Sequence, residues 1–163
     1  KRDKYEKRRY ERRSAVGPTG TRWPGDYGVI VGNCNRAEIG AVLGAAVGGA
    51  VGSQVGEGDG RVVATIIGAV VGGVLGAQVG RSMDEQDRAC IGHALELTSN
   101  GHAVRWENEH SGARYLLTPL GDDTRSGTVC RQFALEVIQN GRTDVSDQWA
   151  CRDDTGRWNM RQR

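Results

Sequence analysis

"GTVCRQFALEVIQNGRTDVSDQWACR", Gly127 to Arg152, sets two apolar-rich runs on either side of Asn140–Gly141. Asn-Gly supplies the two left-handed residues of a tight hairpin turn, so the stretch predicts a β-hairpin. A two-residue turn places Cys130 opposite Cys151 at a non-hydrogen-bonded pair, where side chains approach most closely. The alternation disagrees with that register. Phe133, Leu135 and Val137 share a face with Val145 and Trp149 only if the pairing slips by one residue, as a three-residue turn with a glycine bulge would give. A bulge between Asp144 and Gln148 reconciles the two. A Cys130–Cys151 bond is expected in an oxidising compartment, two free buried cysteines being the alternative.

Working outward, "HAVRWEN" (102–108), "ARYLLTPL" (113–120) and "GRWNM" (156–160) are strand-like. Turn signals stand at Ser111–Gly112, Gly121–Asp123 and Asp154–Gly156. The expectation is a small antiparallel sheet of four or five strands. Ahead of it, "SMDEQDRACIGHALEL" (82–97) opens with Ser82 and Glu85 at capping-box spacing. Met83, Cys90, Ala94 and Leu97 then recur on one face of a short helix, which "SNG" at 99–101 stops.

Further toward the N-terminus the composition changes. No charge falls between Ile39 and Gly56, or between Val62 and Gly80. As helices these runs measure about 27 and 28 Å, close to a bilayer core of about 30 Å. The polar "EGDGR" (57–61) between them reads as a turn, so a helical hairpin with both ends on one side of a membrane is expected. Glycine recurs every fourth residue at Gly40, Gly44, Gly48, Gly52 and Gly56, and again at Gly68, Gly72, Gly76 and Gly80. A glycine in a helix costs about 1 kcal/mol against alanine, but small residues four apart let helix backbones approach closely where lipid offers no hydrophobic drive. The glycines read as a helix-packing seam. "LGAAVGGAVGSQVG" (43–56) repeats as "IGAVVGGVLGAQVG" (67–80), which fits one packing surface used twice.

The net charge of +2 is unevenly spread over the 163 residues. Three regions follow: a basic N-terminal tail and linker (1–37), the glycine-zipper hairpin (38–81) and a helix-plus-sheet domain (82–163). The tail concentrates Lys1, Arg2, Lys4, Lys7, Arg8, Arg9, Arg12 and Arg13. Its plainer reading is a solvated, mobile segment; its functional one is contact with lipid A phosphates or another anionic surface. Trp23 and Tyr27 suit a membrane interface. Cys34 and Cys90 flank the zipper and leave a second bridge open.

At this point the residues carry a resemblance. "CNRAEIGAVLGAAVGGAVGS", "GDGRVVATIIGAVVGGVLGAQVGRSMDEQDRACIGHALE", "GARYLLTP" and the pair "CRQF" and "ACRDDTGRW" resemble the 17-kDa surface antigen family, glycine-zipper two-transmembrane proteins of the Gram-negative envelope. The resemblance implies an outer-membrane location, a hairpin anchor, a periplasm-facing β domain and a structural role in envelope integrity.

Catalysis finds little support. His93, His102 and His110 show no metal-ligand spacing, no serine sits in a nucleophile elbow, and no glycine pattern forms a phosphate loop. No enzyme activity, cofactor or metal is expected, nor is nucleic-acid binding. The fold expected is α+β: a glycine-zipper transmembrane helical hairpin, a short helix and a small antiparallel β-sheet. The function expected is a structural outer-membrane protein that forms a homo-oligomer in the lipid bilayer, alongside other outer-membrane proteins. An oligomeric pore and a membrane-tethered periplasmic binding module are the alternatives.

Overall fold

The structure is a computed structural model of the chain and describes residues 15–20, 22–23, 25–39, 83–154 and 156–161. Ala15–Val16 (β1) and Arg22–Trp23 (β2) pair as a two-stranded antiparallel ribbon. After the helix Glu85–Leu97 (α1) come Val104–Glu107 (β3), Arg114–Arg125 (β4), Thr128–Gln139 (β5), Arg142–Arg152 (β6) and Trp158–Met160 (β7). These last five form one antiparallel meander in the order β3-β4-β5-β6-β7.

The hairpin read from Asn140–Gly141 is present, with φ of 52° and 73° at the two turn residues. Its register is that of the two-residue turn from Gln139↔Arg142 to Cys130↔Cys151, with no bulge. The alternation that argued for a slip has a simple cause. Val145 points away from the core and is 63% exposed, while Ser146 takes the inward position opposite Leu135. The irregularity lies instead between β4 and β5, where the register shifts between Pro119 and Gly121. The turn expected at Gly121–Asp123 is therefore a strand interior, and the chain reverses at Ser126–Gly127, both with positive φ. Pro119 is tolerated because β3 pairs only as far as Leu117, so no β3 carbonyl waits for its missing N–H.

The helix begins two residues later than Ser82–Glu85 implied. Asp84 is the N-cap and its carboxylate accepts from the Asp87 backbone at 2.9 Å, while Asp87 accepts from the Asp84 backbone at 3.2 Å. The inward sides of the sheet supply Val104, Trp106, Tyr115, Leu117, Phe133, Leu135, Val137, Ala150 and Trp158 to a core that Ala89, Cys90, Ile91, Ala94, Leu95 and Leu97 complete from α1. Residues 89–98 are all buried, and Gly17, Gly25, Tyr27 and Cys34 lie against this helix at Glu96, His93 and Cys90. At Gly17 the approach is so close that a Cβ would stand 1.7 Å from the Glu96 carbonyl oxygen.

The expected fold class is corrected in one part. The described residues form a five-stranded sheet with a helix of 13 residues, and no helix among them is long and apolar enough to cross a membrane. At 1.5 Å per residue α1 is about 20 Å long, and it carries Glu85, Asp87, Arg88 and Glu96. The transmembrane hairpin expected over 38–81 is not seen; of its residues only 38 and 39 are among the described ones, and 40–81 lie outside them.

Candidate functional site

Two features stand out, and the first is a clamp at the base of the glycine-rich segment. Cys34 is bonded to Cys90 in the second turn of α1, with a Cα separation of 5.8 Å. Two residues on, the Arg36 guanidinium reaches Asp84 through Nη2 and lies 3.2 Å from Asp87 Oδ1 through Nε. Asp87 is fully buried and takes further hydrogen bonds from Trp106 Nε1 at 3.1 Å and Asn108 Nδ2 at 2.7 Å. Burial raises the Asp87 carboxyl pKa; the bonds from Asn108 and the Asp84 backbone oppose the rise. Ile39 and Met83, the described residues on either side of 40–82, are both buried in the core beside this cluster. The described residues on either side of 40–82 are therefore held to each other by the Cys34–Cys90 bond and by the Arg36 ion pairs.

A second set of buried charges closes the other end of α1. Glu96 is fully buried and accepts from Thr19 Oγ1 at 2.8 Å, Trp158 Nε1 at 3.0 Å and Arg152 Nε. Arg131, also fully buried, donates to Asp122 at 2.7 Å, to the Leu95 carbonyl at 2.5 Å and to Asn100 at 2.9 Å. These contacts tie the helix C-terminus to the strands, with the Glu96 carboxylate and the Arg131 guanidinium both bonded to the protein itself.

The second feature is a groove of about 440 Å³ over β3, β4 and β5, lined by Arg105, Glu107, Arg114, Leu116, Glu136 and Ile138. Cross-strand register sets Arg105, Leu116 and Glu136 in one row and Glu107, Arg114 and Ile138 in the next. None of the four charged side chains takes part in the ion pairs of the described residues. Such a surface can bind a polar or amphiphilic group, but it holds no nucleophile beside a base.

The sequence-derived candidates fall into three groups. Both cysteine pairings are present: Cys34–Cys90, and Cys130–Cys151 with a Cα separation of 4.0 Å. The zipper glycines 40–80 and the basic residues 1–13 lie outside the described residues. Tyr27, expected at a membrane interface, packs its ring 5.1 Å from that of His93. His93 is wholly buried with Nε2 at 3.2 Å from the Gly25 carbonyl, and burial pushes its pKa down to about 4. Among the described residues no group of three or more His, Cys, Asp or Glu side chains could hold a metal ion. Sequence reasoning missed Arg36, Asp84, Asp87 and Asn108 as a unit. The Asp84–Asp87 spacing was its one local signal.

Comparison with known proteins matches residues 39–87 to a glycine zipper and residues 93–159 to the 17 kDa outer membrane surface antigen. The chain is 34% identical over 134 residues to a 17 kDa surface antigen of Rickettsia bellii, covering 79% of this chain and 84% of that protein. It is 37% identical over 83 residues to the 17 kDa surface antigen of Rickettsia felis, covering 48% and 52%. The 17 kDa surface antigen of Rickettsia prowazekii is 37% identical over 82 residues, covering 47% and 52%. No solved structure matches.

Proposed function

The chain belongs to the 17 kDa surface antigen family, and from that premise we propose that it is a structural, non-catalytic protein of a Gram-negative outer membrane. In this reading the glycine-zipper segment joins copies of the chain into an oligomer. The helix-and-sheet domain is held at the base of that segment, faces the periplasm and offers a contact surface that supports envelope integrity. One observation carries the reading. The Cys34–Cys90 bond and the Arg36–Asp84–Asp87 cluster fasten both ends of the glycine-rich segment to one face of a rigid domain, which suits a part that must transmit position. Two buried or half-buried disulfides also suit an oxidising compartment.

The test follows from the glycine period. Gly48→Leu and Gly72→Leu place a bulky side chain in the seam and should dissolve the oligomer, whereas Ala50→Leu, off the glycine row, should leave it intact. Chemical crosslinking and native mass measurement on matched membrane extracts read the result. Intact assemblies in both glycine variants would refute the zipper as the joint. The groove with its unpaired charges supports a second role, as a tethered module that binds an amphiphilic envelope component.

A further inference from the structure

The turn "DYGVIVGN", Asp26 to Asn33, has an unusual composition for a tight reversal. Turn positions ordinarily carry Gly, Asn, Asp, Pro or Ser, each for a backbone reason. Here the backbone work is done at the flanks: Tyr27, Gly28 and Gly32 take the positive φ values of 51°, 87° and 96°. A Cβ at Gly28 would meet the Asn33 carbonyl oxygen at 2.4 Å. Between the two glycines, Val29 is buried as the anchor, while Ile30 and Val31 stand 47% and 42% exposed. Nothing in the turn geometry asks for two β-branched aliphatic residues at its tip.

The tip is also rigidly mounted. Val29 N donates to Asp26 O at 2.9 Å, Gly32 N to Val29 O at 3.1 Å, Asn33 N to Gly28 O at 2.9 Å and Asn35 N to Tyr27 O at 2.8 Å. The turn is then stitched to the sheet edge, with Arg105 N donating to Gly32 O and Cys34 N to Arg105 O, both at 2.9 Å. The exposed Arg105 stands at that junction as a cation, in the groove it shares with Arg114, Glu107 and Glu136. Ile30 and Val31 are held out by a built support.

From this we infer that the 29–32 tip is a membrane-docking point, which seats Ile30 and Val31 among lipid acyl chains with Arg105 at the anionic headgroups. The choice of lipid over a protein partner rests on size. Stable protein interfaces bury about 1,200 Å² or more with matched shapes, and two half-exposed side chains supply a small part of that. A fluid apolar phase needs no matching shape, and amphipathic surfaces flanked by cations bind it. The inference rests on the outer-membrane association of the family and is independent of how copies of the chain assemble.

The experiment uses the full chain in vesicles of phosphatidylethanolamine and phosphatidylglycerol. All described cysteines are bonded, so Ile30→Cys, Val31→Cys and the control Thr124→Cys can each be labelled without reductant with an environment-sensitive nitrobenzoxadiazole dye. Labels at 30 and 31 should shift to shorter wavelength and lose at least half their emission to nitroxide-headgroup lipid, while the label at 124 does neither. Labels at 30 and 31 as water-exposed as that at 124 would overturn the proposal. So would a wavelength shift without lipid quenching, which would mean a protein occupant. Carrying the same labels in Gly48→Leu keeps the two questions apart, since lipid quenching and oligomer size are read separately.

Discussion

His93 ties the fold to pH through one side chain. Its imidazole is fully buried, and its pKa is pushed down to about 4, against about 6.5 in an unfolded chain. Below pH 6.5 the unfolded chain takes up a proton that the folded one refuses, so the stability present above that value is lost progressively down to about pH 4. The loss approaches about 3 kcal/mol. Burial raises the Asp87 carboxyl pKa, which works in the opposite direction as pH falls through it. Comparing wild type with His93→Asn isolates the histidine: denaturant midpoints taken between pH 7 and pH 4 should fall more steeply for the wild type. Gly17 sets a second residue-scale limit. With a Cβ 1.7 Å from the Glu96 carbonyl oxygen, Gly17→Ala must push the N-terminal segment off the helix, at a cost of about 1–3 kcal/mol. A thermal melt should show the drop, and Gly20→Ala, with nothing within 4 Å but a positive φ, should show a smaller one.

Among the elements, the strands were legible because alternation and Asn140–Gly141 act within a few residues of each other. The exceptions share a physical cause. "GDD" at 121–123 has turn chemistry, yet it continues β4 because Asp122 faces Arg131 across the ladder and bonds to it. Arg131 lies on the same face as Phe133 and Leu135, but a charged strand residue is ordinarily solvated, and its partners Leu95, buried, and Asn100, exposed, are more than 30 residues away. Long-range polar satisfaction leaves no local pattern. Arg131→Met keeps the bulk but leaves the Leu95 carbonyl and Asn100 without their donor, so it should destabilise the chain by about 1–3 kcal/mol. Arg125→Met, whose ion pair with Asp123 is exposed, should change stability by less than about 0.5 kcal/mol. Chemical denaturation of the two variants in parallel measures the contrast.

Across the whole molecule, the clamp was illegible for the same reason of distance: Arg36 and Asp84 are 48 residues apart. The cysteine count nevertheless left its covalent half open as a possibility, and the bond is present. The Cys34–Cys90 bond spans 56 residues and Cys130–Cys151 spans 21. In the chain-entropy model these are worth about 4 and about 3 kcal/mol. Cys34→Ser with Cys90→Ser should therefore cost more stability than Cys130→Ser with Cys151→Ser. Only the first pair should speed tryptic cleavage at Arg36, because it alone frees the segment over the helix. Guanidinium unfolding and timed proteolysis test both statements. The same connectivity bears on how the protein is made. Four cysteines allow three pairings, and this chain uses the one in which each cysteine joins the next along the sequence. A polypeptide emerging N-terminus first into an oxidising space meets Cys90 while Cys34 waits alone, and Cys151 while Cys130 waits alone. Native bonds then form in order of arrival, with no wrong bond to undo.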